Sequence, residues 1–154
     1  MGTRSLTFVT KTGTYSDTGK KYKEKYICMY RQYDGYPDGH GQDLIDFLVS
    51  GTMVNGLGMN QGEIVFNGTG CLAAQIVANF KEGAGGIYLY PTNTKNAGQD
   101  YEYHVNFNAD TQKLIVDVRE NGYMRGKKYC SGTRSLFKGE PKEFKAWLEM
   151  YHEA

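Results

Sequence analysis

Alternation of side-chain character in the second half of the chain limits the possible folds more than any other feature. In YEYHVNFN, from Tyr101 to Asn108, aromatic or aliphatic residues occupy the odd positions and polar residues occupy the even ones. The turn-forming sequence NADTQ follows, and KLIVDVR then repeats the alternation. Because successive strand residues point to opposite faces, the two segments predict antiparallel strands with one buried face and one polar face.

Further strands are predicted on both sides of this pair. SLTFVTK begins at Ser5, and YKEKYICMYRQY begins at Tyr22 and alternates so that Tyr26, Cys28 and Tyr30 share a face. The two form a predicted hairpin across a polar loop. A short strand is predicted at Glu63 to Phe66, and GGIYLYP predicts another. Asn121-Gly122 predicts a two-residue hairpin turn that leads into the strand YMRGKKYC.

Three segments have helical patterns. Gln42 to Val49 groups its apolar residues on one side and stops at Gly51. A second helix begins near Thr69 and ends before Gly83, and a third begins with Pro141 in its first turn. Runs of strands with segregated helices predict an α+β fold, an antiparallel sheet with about three helices packed mainly on one face. Residues 1–154 form one predicted domain.

Composition and charge exclude several functional classes. A net charge of +1 argues against a nucleic-acid binder, and the apolar runs are too short for a membrane span. Three widely spaced cysteines, Cys28, Cys71 and Cys130, predict free thiols packed in the core and a cytoplasmic location. No cofactor motif is recognised, and exposed sheet edges make a homodimer a reasonable expectation.

The segment DGYPDGHG, residues 34–41, is the main candidate for a binding site. It joins a strand to a helix, and glycine-rich turns of this kind can offer backbone amides to a phosphate. Arginines would add positive charge, and tyrosines would stack on a ring. The predicted ligand-binding residues are Arg4, Arg31, Tyr33, Tyr36, Gly39, His40 and Gly41. The simpler interpretation is that these glycines only make the turn, since the segment is neither a P-loop nor a dinucleotide fingerprint.

The same segment also contains the candidate catalytic residues. His40 with Asp38 or Asp34 could act as a general base and its orienting carboxylate. A metal bound by these residues and Asp43 is a weaker alternative, because their spacing matches no metal signature, and no metal site is predicted.

A second candidate surface is the polar face of the late strands. It presents Glu102, His104, Asn106, Asp117 and Arg119. A solvated sheet face is the ordinary expectation, and a binding face is the alternative, with Tyr90 and Tyr129 expected nearby.

Four blocks of the chain resemble a widespread family of small uncharacterised proteins of bacteria, archaea and their viruses. They are MGTRSL, YRQYDGYPDGHG, NGTGCLAAQIVANFK and GGIYLYP, in that order. The resemblance covers nearly the full length, although the part from Asp110 to Phe137 matches less clearly. It implies no established activity, but it suggests that these blocks converge around one pocket.

Three functions therefore stay open at the level of sequence. The leading hypothesis is a protein that binds a small phosphorylated or nucleotide-like ligand. The second is a phosphate-ester hydrolase that uses His40 and Asp38. The third is a structural or protein-interaction module, such as a viral accessory or virion protein.

Overall fold

A computed structural model describes residues 2–54 and 64–153, with side chains to residue 151. The strands are β1 (Ser5–Thr14), β2 (Lys21–Arg31), β3 (Gly51–Val54), β4 (Ile64–Asn67), β5 (Ile87–Tyr90), β6 (Tyr101–Asn108), β7 (Lys113–Arg125) and β8 (Lys128–Gly139). The helices are α1 (Gln42–Val49), α2 (Gly68–Phe80) and α3 (Pro141–Glu153), and one π-helical turn (Pro37–Gly41) leads directly into α1. No helix in the described ranges has the length and apolar character needed to cross a membrane.

Six strands form the main sheet in the order β5–β2–β1–β6–β7–β8. The two central strands, β1 and β6, are parallel, with Val9 opposite Val105, and the other neighbouring pairs are antiparallel. The predicted hairpin of β1 and β2 is confirmed, as is the antiparallel pairing of β6 with β7. Strands β5 and β8 lie at the edges of the sheet, and pairing of a second copy of the chain there stays a prediction.

All three helices pack on one face of this sheet. Helix α2 contacts β1 and β2, α3 contacts β7 and β8, and α1 contacts α3. The core between them is fully buried and includes Val9, Met29, Leu44, Leu72, Tyr103, Val105, Val116 and Phe144. Burial of these side chains is the main favourable contribution to folding. The α+β prediction, with the helices on one side, is therefore confirmed.

The opposite face, which we call the outer face, is covered only in part. Leu6, Cys28 and Tyr30 are buried there, and Phe8 and Ala97 pack against them. Ala97 belongs to the segment that links β5 to β6, so this connection crosses part of the outer face. Burial raises the pKa of the Cys28 thiol to about 11, with a further contribution from Glu102, in keeping with an inert packing role.

A β-bulge in β2 corrects one detail of the sequence interpretation. Val9 pairs with Ile27 and Thr10 pairs with Lys25, so Tyr26 is the extra residue. Tyr26 consequently turns to the helical face, where its ring lies about 3.4 Å from the position of a Cβ on Gly70 of α2. Simple alternation predicts that Tyr26 shares a face with Cys28 and Tyr30, but the structure places it on the other face. The same shift brings Lys25 and Lys23 to the outer face.

The predicted hairpin turn at Asn121-Gly122 is wrong. Both residues lie inside β7, and the chain reverses between Arg125 and Lys128. Gly122 has a φ of +79°, and the pairing register shifts between Asn121 and Tyr123. The left-handed conformation that glycine supplies is used here for a bulge, where the sequence pattern alone indicates a turn.

A small second sheet consists of two parallel strands, β3 and β4. Strand β3 was not predicted, because it lies in a glycine-rich part of the sequence. A single residue separates it from the end of α1. Strand β4 agrees with the predicted short strand, although Glu63 lies outside the described residues. Helix α2 follows β4 without a linker, so β4 and α2 form a strand-to-helix connection.

Candidate functional site

The backbone amides of the DGYPDGHG segment donate to other groups of the protein. The amide of Gly35 donates to the Thr3 carbonyl at 2.9 Å, that of Gly39 to Tyr36 at 2.9 Å, and that of His40 to Asp34 at 2.7 Å. The Gly41 amide donates to the Tyr103 hydroxyl, which itself donates to the Gly35 carbonyl at 2.7 Å. These amides are therefore occupied and do not form a cradle for a phosphate.

Close packing accounts for two of the glycines in this segment. A Cβ on Gly39 would lie 2.5 Å from the Asp34 carbonyl oxygen, and one on Gly35 would lie 2.7 Å from the backbone of Arg4. Both contacts are with backbone atoms, which cannot move aside cheaply. The glycines permit a tight turn against the start of β1.

His40 is fully buried at the start of α1. Arginine has no hydrogen-bond acceptor, so the Nδ1 atom of His40 accepts from the Arg31 guanidinium at 3.0 Å. The proton of the neutral ring is therefore on Nε2, which donates to the Thr7 hydroxyl at 2.8 Å. Burial, with a contribution from Arg31, lowers the pKa of His40 to about 3. Both ring nitrogens are thus occupied by structural contacts, and neither faces a substrate.

Arg31 and Tyr33 lie together beside a surface cleft of about 500 Å³, the loop cleft. Arg31 lies 5.6 Å from the centre of the Tyr33 ring and bonds Asp43 at 3.2 Å. The other charged lining residues are Asp46 and Glu82. Because three carboxylates face one guanidinium, the loop cleft has a negative balance and is not suited to a phosphate.

The remaining predicted residues do not converge on the loop cleft. The Arg4 guanidinium lies against Gly98, in the connection between β5 and β6. Tyr36 is exposed and donates from its hydroxyl to Asp34 at 3.2 Å. Asp34 and Asp38 are both exposed, whereas His40 is enclosed. The structure therefore separates His40 from open surface and Arg4 from Arg31.

A larger concave surface crosses the outer face of the sheet. Two adjoining hollows of about 520 and 510 Å³ share Thr10, Lys23, Glu102, His104 and Thr133, and together they form what we call the outer cleft. Strands β1, β2, β6, β7 and β8 contribute to its lining, and the segment Thr92–Asn96 forms part of its rim. Its floor is formed by the hydrogen-bonded strands of the main sheet.

His104 and Glu102 lie at the centre of this floor. The Nε2 atom of His104 is 2.9 Å from Glu102, and its ring stacks on Phe8 with centroids 4.7 Å apart. Glu102 also accepts from Gln99 at 3.0 Å. Burial alone raises the pKa of Glu102, but these hydrogen bonds outweigh it, so the pKa lies below its usual value. An ionised Glu102 thus orients His104, whose side chain keeps an exposed fraction of 32%.

The outer cleft carries an excess of positive charge. Its charged lining consists of the cations Lys23, Lys25, Lys95, Arg119 and Lys138 and the carboxylates Glu102 and Asp117. The whole chain carries only +1, so the positive balance is local. Arg119 bonds Asp117 at 3.1 Å, whereas Lys23 and Lys25 are exposed. The cleft therefore favours an anionic ligand.

Comparison with protein-family models, with curated proteins and with solved structures finds no match to this chain, so the family resemblance stays a prediction. Within the described ranges, no group of three or more histidine, cysteine, aspartate or glutamate residues is arranged to hold a metal ion.

Sequence reasoning found part of the outer cleft and missed the rest. Alternation in β6 and β7 placed His104, Asp117 and their neighbours on one polar face. It did not place Lys23 and Lys25 there, because the bulge at Tyr26 reverses the facing of that half of β2. A run of lysines opposite threonines was the available signal, but it has no meaning until the strand register is known.

Proposed function

We propose that the protein binds a small anionic ligand, of the phosphorylated or nucleotide-like class, in the outer cleft. The observation that carries the proposal is the excess of cations around a stacked Phe8–His104 pair on the outer face of the sheet. A ligand of this class combines negative charge with a planar ring, and the cleft offers a partner for each. Specificity in such sites comes from a few well-placed polar groups on a concave surface.

We expect different strands to contact different parts of the ligand. Lys23 and Lys25, on β2, would attract the phosphate, and the exposed part of His104 would contact the planar group. Glu102 is buried and bonded to Gln99 and His104, so it would hold the His104 ring in place. Thr10 and Asn106 are bonded to each other at 2.7 Å and would provide a fixed polar edge.

The loop cleft supports the same function less well. Its charged lining is mainly acidic, and the amides of the adjacent turn are occupied. A phosphate there would face Asp43, Asp46 and Glu82 without a compensating excess of cations. For these reasons we place the ligand of the leading hypothesis on the outer face.

A thermal-shift and calorimetric screen tests the proposal. Nucleoside phosphates, cyclic nucleotides and sugar phosphates would be tested at millimolar concentration at low and moderate salt. We expect stabilisation by at least one of them, weakening with salt, because screening reduces the attraction between exposed charges. The Lys23→Gln/Lys25→Gln variant should bind about tenfold more weakly, which corresponds to about 1.4 kcal/mol.

The matched control is Lys127→Gln/Lys145→Gln, which removes two exposed lysines that lie outside the lining of the outer cleft. It should bind the ligand as the wild type does. Equal weakening of binding in both double variants would mean that binding depends on the net charge of the protein and not on the outer cleft. Absence of stabilisation by every compound would refute the proposal.

One observation favours a second candidate function, phosphate-ester hydrolysis. The Glu102–His104 pair has the arrangement of a general base beside an orienting carboxylate, and it lies on the outer face and not in the DGYPDGHG segment. If the protein is a hydrolase, His104→Gln should abolish turnover of an aryl phosphate while leaving ligand binding within a few-fold. His40→Gln, by contrast, should act through stability. Turnover that survives His104→Gln would exclude this candidate.

A further inference from the structure

A small cavity on the helical side of the sheet lies at the first turn of α2. Its volume is about 160 Å³, which holds about five water molecules at about 30 Å³ each. That is also the scale of a tetrahedral oxyanion with five heavy atoms. The cavity is far smaller than the outer cleft and lies on the opposite face, because Lys11 and Phe107, which line it, point away from the outer face.

The start of α2 leaves its positive end uncompensated. Its first amides have no partner within the helix, no side chain caps them, and its first turn contains no acidic residue. At the start of α3, by contrast, Glu143 accepts from the Glu140 amide at 2.9 Å. Gly68 and Gly70 carry no side chain over this turn, and a Cβ on Gly68 would meet nothing within 4 Å. No side chain at Gly68 therefore separates this turn from the cavity, which Gly68 and Thr69 both line.

A second and independent observation comes from Thr69, which lines the cavity. The residue is 4% exposed, and its hydroxyl has no hydrogen-bond partner within the described part of the chain. A buried hydroxyl without a partner costs about 1 to 3 kcal/mol, so such groups are rare in folded proteins. Because the residue lines the cavity, rotation of its side chain would bring the hydroxyl to a ligand oxygen there, which would provide the missing partner.

Charge also favours an anion at this position. Among the described lining residues, Lys11 is the only charged one, and it forms no ion pair with another described residue. The other members of the lining are mainly apolar, and they include Met53, Phe107 and Ala109. A cation in such surroundings is weakly screened, so its attraction for an anion is stronger than at an open surface.

We infer that the N-terminus of α2 is a binding site for a phosphate-class oxyanion. The amides of Gly68, Thr69 and Gly70, the Thr69 hydroxyl and the Lys11 ammonium supply the donors. A helix N-terminus that follows a strand through a glycine-containing turn is a general device for binding phosphate. The site is separate from the outer cleft and does not depend on what binds there.

The experiment is a titration of ¹⁵N-labelled protein with inorganic phosphate at constant ionic strength, followed by amide chemical shifts. We expect saturable shifts of the Gly68, Thr69 and Gly70 amides, and none with an equal concentration of chloride. Sulfate and glycerol phosphate provide two further arms. Binding of sulfate and phosphate but not of the ester would assign a free oxyanion, whereas tighter binding of the ester would assign a phosphate monoester.

Variants separate this site from the outer cleft. Thr69→Val and Lys11→Met should each weaken phosphate binding at least tenfold, whereas Thr69→Ser, which keeps the hydroxyl, should retain it. Lys23→Met removes a cation from the outer cleft and should leave these amide shifts unchanged. Absence of saturable shifts in the wild-type protein, or wild-type affinity for phosphate in Thr69→Val and Lys11→Met, would overturn the inference whatever the outcome for the outer cleft.

Discussion

His40 and His104 lie on opposite faces of the same sheet, and the two regions differ in how far the imidazole ring is exposed to a ligand. His40 is fully buried, and each of its ring nitrogens has a protein partner. His104 keeps about a third of its side chain exposed, and its Nε2 atom bonds Glu102. The segment around His40 stands out in the sequence because a tight turn needs unusual residues. The strand around His104 looks ordinary, and yet it forms the floor of the larger cleft.

Substitution of the two histidines gives the largest contrast. His40→Ala leaves a cavity and removes the partners of Arg31 and Thr7, so we expect a loss of about 3 to 5 kcal/mol in the free energy of unfolding. His104→Ala removes a partly exposed ring and should cost about 1 kcal/mol or less. Urea denaturation measures both. Similar losses in the two variants would remove the distinction between a structural and an accessible histidine.

The pH dependence of stability should follow His40. Its pKa is about 3 in the folded protein and about 6.5 in the unfolded chain, so the unfolded chain binds a proton between these values. Stability therefore falls as the pH falls through this window, by about 3 kcal/mol between pH 7 and pH 4.

The difference in unfolding free energy between wild type and His40→Gln isolates this contribution from that of the carboxylates. It should shrink by about 3 kcal/mol as the pH is lowered from 7 to 4. A difference that stays constant with pH would show that His40 is not held in its neutral form.

Glycine substitutions should distinguish the tight turn from the open start of α2. Gly39→Ala places a Cβ against the Asp34 carbonyl, and we expect a loss of about 1 to 3 kcal/mol. Gly70→Ala meets only the Tyr26 ring, at an ordinary 3.4 Å, and lies in a helix. It should be neutral or stabilising by up to about 1 kcal/mol. Thermal unfolding of the pair in phosphate-free buffer tests this, and destabilisation by Gly70→Ala would be the contrary result.

Thr69→Val should have the smallest effect, and one of opposite sign to that of His40→Ala. The His40 nitrogens have partners whose loss is costly, whereas the Thr69 hydroxyl has none among the described residues. We expect a gain of about 1 kcal/mol in the free energy of unfolding without phosphate. Calorimetric unfolding with and without phosphate measures it. A loss of stability in phosphate-free buffer would mean that the hydroxyl has a favourable role in the unliganded fold.

Much of the architecture was predictable because it depends on local periodicity. Alternation in β6 and β7 identified the buried face, and the apolar spacing of α1, α2 and α3 identified the helices. The local pattern failed where glycine has more than one use. Asn121-Gly122 indicates a turn in most sequences, but here Gly122 occupies a bulge, and the reversal comes at Gly126, which has a φ of +64°.

The candidate site was predictable only in part, for a related reason. The sequence placed His104, Glu102 and Arg119 on a polar face, but it ranked the DGYPDGHG segment higher because clustered glycine, histidine and acids are typical of sites. The hydrogen bonds that occupy that segment include bonds to Thr3, Thr7 and Tyr103, which are distant in the chain. No local pattern reports such partners.

The sequence by itself determined the three helices and most of the strands, which face of the late strands is polar, and that the chain builds an α+β fold. These properties depend on the side-chain period of each segment. The tertiary structure alone decided that His40 is enclosed, that Lys23 and Lys25 join the outer face, and that Lys11 and the start of α2 line one cavity. Each of these depends on strand register, a bulge or the packing of distant segments, and a shift of one residue reverses the face of every side chain beyond it.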